Sequence, residues 1–362
     1  MDERAKREER EIGKKGGEAR VSSAEAEGRP RAAKELAGAA GDDSGEGGFD
    51  SGKAAAHSTG EKARTIGETW RAAAACLRAA GVGEEDANAE LLLLHLLGVG
   101  KAELLRDWRE PFPEGRRAEW DALLARKAAG EPAQYIVGGQ SFYGRWFRVR
   151  PGVLIPRPET ELLAEAVLAA AGELGGEGAA LTALDIGTGS GALAVTLAAE
   201  RPAWRVFASD LSPDALEVAR GNAAANGVGE RIAFAQGDLL EPFIAAERGG
   251  AGTAAEGGLA ADILVSNPPY IPSADLSGLQ REVRDYEPRL ALDGGPDGLA
   301  PYRRMAERLR LLPRLPRLVA WEVGAGQADD AAALLRAAAE WERIWFVKDY
   351  AGIDRHVMAI RR

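Results

Sequence analysis

This sequence predicts an α/β fold, a parallel doubly wound sheet ending in an antiparallel hairpin and preceded by a small helical bundle. Three observations predict it. After Leu162, apolar runs of strand length alternate with helical runs, the order that builds a parallel sheet through crossover connections. A glycine-rich loop, Asp185-Ile186-Gly187-Thr188-Gly189-Ser190-Gly191, separates the first of those strands from the first of those helices. Between Thr65 and Ala133 the apolar spacing is helical instead.

Residues 1–63 are built from Glu, Lys, Arg, Gly, Ala and Ser, with Phe49 the only aromatic. Such a segment buries too little apolar surface to offset its ordering entropy, so a disordered tail is expected. Residues 64–134 read as helices. Trp70, Ala73, Ala74 and Leu77 recur at i, i+3, i+4 and i+7; Leu91–Leu97 is a buried run closed by Gly98; Trp120, Leu123 and Leu124 mark a third helix before Gly130. His95 on the leucine-rich run is expected in a core or interface, and Cys76 as a small apolar filler. Residues 135–155 turn to alternation, and Phe142, Tyr143, Trp146, Phe147 and Val149 around Gly144 predict a hairpin linker over 135–160. Gly138-Gly139-Gln140 falls inside it and reads as a turn.

In residues 161–362, strands are expected at Leu181–Ile186, Val206–Ser209, Ile232–Ala235 and Ile263–Val265. Helices are expected at Leu193–Ala199, stopped by Pro202, and from a Ser212 cap with Pro213 at the first helical position through Ala225. Gly249–Gly258 reads as a flexible insertion, and Arg303–Arg317 as a helix face followed by a loop. Ile344–Val347 and Val357–Ile360 flank Ala351–Asp354 and predict the antiparallel hairpin at the sheet edge.

Composition excludes several classes of function. With 46 Lys and Arg against 56 Asp and Glu, the formal charge is −10, which argues against a domain that blankets nucleic-acid phosphates. The single cysteine excludes an intrachain disulfide framework and a thiolate zinc cluster, and fits the reducing cytoplasm. His57, His95 and His356 leave little for a multi-histidine site, so no metal is expected. No apolar run approaches the ~20 residues of a membrane span, and no secretory signal follows Met1.

The glycine loop permits a tight turn and close backbone approach to a ligand. No lysine follows its glycines, which disfavours a phosphate-cradling P-loop, although Gly187, Gly189 and Ala192 also satisfy a dinucleotide pattern. Asp210, ending the next strand, is placed to take the ribose hydroxyls of an adenosine-containing cofactor. Asp238, read as ending the third strand, could accept from an adenine amino group. Acids at three strand ends, Asp185, Asp210 and Asp238, would suit a cationic cofactor such as a sulfonium and repel a pyrophosphate.

Ser266-Asn267-Pro268-Pro269-Tyr270-Ile271 follows the fourth strand. A planar amide or amino nitrogen is a poor nucleophile because its lone pair is delocalised. The Asn267 side-chain carbonyl and the Pro268 backbone carbonyl can each accept one N–H of such a group, pinning the nitrogen and aiming its lone pair. Pro268 and Pro269 stiffen the loop, and Tyr270 offers a flat face to the planar group.

Together the glycine loop, Asp210 and Asn267–Tyr270 resemble class I S-adenosylmethionine-dependent methyltransferases that act on planar nitrogens. Glu131-Pro132-Ala133-Gln134-Tyr135-Ile136, Leu154-Ile155-Pro156-Arg157-Pro158-Glu159-Thr160-Glu161 and Tyr286-Glu287-Pro288 narrow the resemblance to the PrmC/HemK family, over about Thr65 to Arg362. That family methylates the glutamine of the Gly-Gly-Gln motif in class 1 peptide chain release factors. The resemblance implies a Rossmann-like class I sheet and S-adenosylmethionine as cofactor. It implies cofactor contacts at Gly187, Thr188, Gly189, Ser190, Gly191, Asp210, Asp238, Leu239 and Asn267, and glutamine held by Asn267, Pro268, Pro269 and Tyr270. Leu239 stands where family members often carry an aromatic. A release factor is the expected partner; no direct nucleic-acid contact, no membrane and a monomeric state are expected.

Three rivals compete with this reading. A DNA adenine-N6 methyltransferase needs the same two acceptors, but usually adds a basic DNA-reading segment. A non-catalytic ribosome-binding or release-factor-binding module would not need both loops. A nicotinamide dehydrogenase is disfavoured by the strand-end acids.

Overall fold

A computed structural model describes residues 64–176, 178–244 and 258–361, which lie within one compact unit, Gly52–Arg362. The tail expected at 1–63 and nearly all of the insertion expected at Gly249–Gly258 fall outside the described residues.

Among the described residues five helices come first: α1 (Ile66–Ala79), α2 (Glu85–Leu97), α3 (Lys101–Arg106), α4 (Arg117–Ala128) and α5 (Ala133–Val137). Thr65 caps α1 through a capping box with Glu68, whose carboxylate accepts the Thr65 N–H at 2.8 Å. Gly98 closes α2 in the left-handed region at φ 67°. The apolar faces meet in one cluster of Ala73, Leu77, Leu92, Leu93, Leu104 and Trp120. Cys76 is exposed, against expectation, and His95 is exposed too, which excludes the core position expected as one alternative for it. The helical period explains this, because Leu92, Leu93 and Leu96 take the buried face of α2, and Ala73, Ala74 and Leu77 that of α1.

The hairpin pairs β1 (Gly139–Phe142) with β2 (Arg145–Arg148) across Tyr143 and Gly144, both at positive φ (50° and 71°), a two-residue turn that matches strand twist. The change to alternation comes later than the sequence suggests, since 133–137 is helical. Gly138 caps α5, while Gly139 and Gln140 are strand residues paired with Arg148 and Phe147. Gly138-Gly139-Gln140 is therefore not a turn. Gly139 is needed because the Trp146 ring occupies the space of a Cβ.

The main sheet has seven strands: β3 (Thr182–Ile186), β4 (Arg205–Asp210), β5 (Ile232–Gln236), β6 (Ile263–Ser266), β7 (Leu318–Glu322), β8 (Arg343–Lys348) and β9 (Asp354–Ile360). Their order is β5-β4-β3-β6-β7-β9-β8, parallel except for β9, which is antiparallel to both neighbours. The four expected strands, the capped helix at Ser212 and the terminal hairpin are all present; β7 has no counterpart in the sequence reading. Every residue of β7 is buried, so it shows no alternation, and the preceding prolines and arginines hide it.

Helices cover both faces, α6 (Pro158–Ala170), α7 (Ala192–Glu200) and α8 (Pro213–Ala225) on one and α10 (Ala300–Arg308) and α11 (Ala328–Ala338) on the other, while the short α9 (Arg281–Tyr286) buries no residue. Leu163, Val167, Leu193 and Val195 pack one face of the sheet, and Tyr302, Met305, Ala331 and Leu335 the other. The winding reverses between β3 and β6, opening a crevice at the carboxyl ends of those strands.

Candidate active site

Strand register aligns the site. Ile186 of β3 pairs with Ser209 of β4 and Ser266 of β6, and Ser266 pairs with Trp321 of β7. The next residue on each strand is therefore Asp210, Gly187, Asn267 and Glu322, one row across the mouth of the crevice, spaced by roughly 4.8 Å per strand.

A cavity of about 750 Å³ opens there, lined by Gly187, Thr188, Gly189, Ser190, Asp210, Asp238, Leu239, Asn267 and Pro269 among others. Its size suits a small-molecule site. Gly191, Pro268 and Tyr270 are not on the lining. Gly191 faces Ala219 of α8, where a Cβ would come within 3.1 Å of the alanine methyl, so it serves helix packing. Gly187 and Gly189 face open space and adopt φ 71° and 56°. An adenosyl methionine moiety fits this arrangement, because bare backbone lines the cavity where any side chain would fill it.

Two carboxylates, buried Asp185 and half-buried Asp210, hold the loop. Asp185 accepts from Thr188 Oγ1 at 2.6 Å and from the Ala194 N–H at 3.1 Å. Burial pushes its pKa up to about 7 despite those bonds. Asp210 accepts from the Gly189 N–H at 2.8 Å and from the Ser212 N–H at 2.9 Å, and burial raises its pKa as well. Asp210 also lines the cavity, and each carboxylate oxygen has capacity to accept a further hydrogen bond.

The expectation of three acids facing a cationic cofactor is corrected. Asp185 is 1 % exposed and off the lining, and Asp238 lies beyond the end of β5 and is paired with Arg304. Arg157, Arg289 and Arg304 line the cavity alongside Asp210, Asp238 and Asp293, so the wall is of mixed sign. Leu239 lines the cavity in a left-handed conformation, φ 55°, its carbonyl accepting from Ser209 Oγ at 3.1 Å.

At the end of β6, Asn267 Nδ2 donates to Thr160 Oγ1 at 3.0 Å, and that hydroxyl donates to Glu322 Oε2 at 2.7 Å. Burial pushes the Glu322 carboxyl up to about 7. The Tyr270 carbonyl accepts from Gln327 Nε2 at 2.9 Å, and burial pushes the Tyr270 phenol up to about 12, so it stays protonated. The Ile271 N–H donates to the Leu292 carbonyl at 3.0 Å and the Gly294 N–H to the Ile271 carbonyl at 2.8 Å, which ties the wall at 288–295 to the Asn-Pro-Pro-Tyr loop.

Thr160, Arg157 and Glu322 carry no assignment from the sequence. Arg157 pairs with buried Glu287, linking the two stretches that lead into the cavity walls. A signal was present for Glu322, a lone acid ending the apolar run Leu318–Trp321. The arginines of 303–317 serve the chain itself: Arg303 pairs with Asp297, Arg308 with Glu241 and Arg314 with Asp262, while Arg310 caps the carbonyls of Ala337 and Ala338. Gln140 donates to the Ser141 carbonyl at 3.0 Å and does not line the cavity. Among the described residues no His, Cys, Asp or Glu cluster could hold a metal, and no helix is long and apolar enough to cross a membrane.

Comparison with known proteins identifies both regions of the chain. Residues 68–138 match the family model of the PrmC N-terminal domain, and residues 183–249 match a methyltransferase domain. The release factor glutamine methyltransferase of Moorella thermoacetica is 41% identical over 286 residues, covering 79% of this chain and 95% of the relative. That of Bacillus subtilis is 40% identical over 278 residues, covering 77% and 92%. That of Chlorobaculum tepidum is 41% identical over 277 residues, covering 76% and 90%. With this identity along nearly the whole of each relative, the chain belongs to the family of release factor glutamine methyltransferases.

Proposed function

We propose that this chain transfers a methyl group from S-adenosylmethionine to the side-chain amide nitrogen of the glutamine in the Gly-Gly-Gln motif of class 1 peptide chain release factors, giving N5-methylglutamine and S-adenosylhomocysteine. The observation that carries it is Asn267, anchored through Thr160 and lining the same cavity as Gly187, Gly189 and Asp210.

In this reading the loop Gly187–Ser190 leaves room for the methionine part, Asp210 takes the ribose hydroxyls, and Asp238 and Leu239 border the adenine. When bound, the cofactor supplies an electrophilic methyl on a sulfonium that departs as a neutral thioether. Asn267 Oδ1 and the Pro268 carbonyl each accept one N–H of the glutamine amide, drawing the nitrogen out of conjugation. Tyr270, a neutral phenol, flanks the planar group. As the new N–C bond forms, the nitrogen becomes strongly acidic and releases its proton to water, so no side-chain base is required.

Helices 64–134 hold the protein substrate, 135–160 link them to the catalytic part at 161–362, and the chain works as a cytoplasmic monomer without contacting nucleic acid directly. Labelled S-adenosylmethionine offered with a release factor, its Gln→Ala variant and duplex DNA tests this reading. Label on the intact release factor alone is the expected result; label on DNA or on the Gln→Ala variant sinks it.

A further inference from the structure

We propose that Glu322, acting through Thr160, fixes which end of the Asn267 amide faces the substrate and is thereby a positioning residue of the acceptor site. This rests on the glutamine reading above and adds to it a polarity that Asn267 cannot set for itself.

An asparagine amide is nearly symmetric in shape, and its two ends differ only in hydrogen-bonding character. A glutamine NH₂ needs an acceptor. If the Asn267 amide were turned over, two NH₂ groups would face each other and the nitrogen would be left unpinned. Something must therefore break the symmetry.

The chain Asn267–Thr160–Glu322 does so by counting protons. An ionised carboxylate can only accept, so at 2.7 Å from Glu322 Oε2 the Thr160 hydroxyl spends its single hydrogen on that oxygen. Thr160 Oγ1 is then an acceptor toward Asn267, 3.0 Å away, and the amide must present its NH₂ to it. Oδ1 is left for the cavity. This orientation follows from the carboxylate, whichever way the amide is drawn.

The site is built for this, not for packing. Thr160 is 5 % and Glu322 1 % exposed, and a core contact alone would be met more cheaply by apolar side chains. The groups around the carboxylate leave its role free. From α6 Thr160 bonds it and Glu159 acts on it only as a nearby like charge, with Arg157 just before that helix as an opposite one. Arg355 and His356 face it from β9; Arg355 is committed to Asp349 at 3.2 Å and to the Val323 carbonyl at 3.2 Å. His356 Nε2 stands 3.9 Å from Oε2. Tyr302 of α10 donates to the Glu322 backbone carbonyl at 2.6 Å, not to the carboxylate. Thr160 is the hydrogen-bond donor shown on the carboxylate among the described residues.

Steady-state kinetics with the full chain, S-adenosylmethionine and a release factor test the relay. Thr160→Val, which keeps shape and removes the hydroxyl, should lower kcat by about tenfold or more, while calorimetric affinity for the cofactor stays within about twofold and reports that the variant is folded. Thr160→Ser, which restores the hydroxyl, should recover most of that loss. Glu322→Gln can donate to Thr160 and free its hydrogen for Asn267 Oδ1, so kcat should fall several-fold with no change in cofactor affinity. In an Asn267→Ala background Thr160→Val should have almost no further effect, because the residue it acts through is gone. If wild type transfers methyl and Thr160→Val does so at full kcat, or slows the Asn267→Ala variant by the same factor as wild type, the relay is overturned and the glutamine reading survives. No transfer by wild type overturns both.

Discussion

Asn267 and Thr160, 107 residues apart, meet side chain to side chain at 3.0 Å, where the first turn of α6 passes the end of β6. The contact commits the amide of Asn267 to one rotamer before any substrate arrives, which is the preorganisation an acceptor site requires. Asn267→Ala should lower kcat by on the order of 10²-fold or more. Cofactor affinity, measured by calorimetry, should barely change, since the loop and Asp210 are untouched. Full turnover in this variant would rule out the pinning mechanism.

Asp210 is bonded to two loop N–H groups as well as facing the cavity. Asp210→Ala should therefore weaken cofactor affinity by more than a lost ribose contact, because the half-buried N–H groups of Gly189 and Ser212 each lose an acceptor that holds the loop in place. A drop in affinity of about tenfold or more with kcat at saturation largely kept is the expected pattern, and unchanged affinity would remove Asp210 from the cofactor site.

Activity and stability should move in opposite directions with pH. Burial pushes both Glu322 and Asp185 to about 7, above their unfolded values. The folded state thus retains protons that the unfolded chain releases; this contribution to stability is full below the ordinary carboxylate range and is lost as pH rises through about 7. The relay, in contrast, needs Glu322 ionised, so kcat should climb through the same window. His356, held down at about 4 by burial, stays neutral throughout. Profiles of kcat and Tm between about pH 5.5 and 8.5 check this: Glu322→Gln should flatten the kcat profile and keep the part of the Tm slope that belongs to Asp185.

Lys127 of α4 is fully buried and pairs with Glu282 of α9 at 2.6 Å, joining the helical region to the segment leading into the cavity wall. Glu282→Ala leaves an ammonium without its partner and should destabilise by roughly 2 kcal/mol, less than a wholly buried pair because Glu282 is 28 % exposed. Lys127→Met, which replaces the charge with matching apolar volume, should unfold within about 1 kcal/mol of wild type. A Glu282→Ala variant as stable as wild type in urea titrations would show that the pair holds nothing.

The parallel strands, the Ser212 cap, the terminal hairpin and the Asn-Pro-Pro-Tyr loop were legible because each is written locally, in periodicity and turn chemistry. Strand β7 was not. Burial on both faces removes the alternation that marks a strand, and its apolar run is short enough to pass for the end of a helix. With β7 went Glu322. The exposure of His95 and Cys76 is set by helical phase, which neither the leucine-rich surroundings of His95 nor the apolar character of a cysteine reveals.

By itself the sequence determined the chemistry on offer, namely a glycine loop, an acid one strand along, and an amide followed by two prolines. Tertiary structure alone decided how those groups are charged and aimed. Asp185 is turned inward to hold the loop, Asp238 is neutralised by Arg304, and Asn267 is oriented by a threonine and a glutamate from distant segments. Burial and pairing depend on what folds against a residue, and strand register brought Asp210, Gly187, Asn267 and Glu322 into one row.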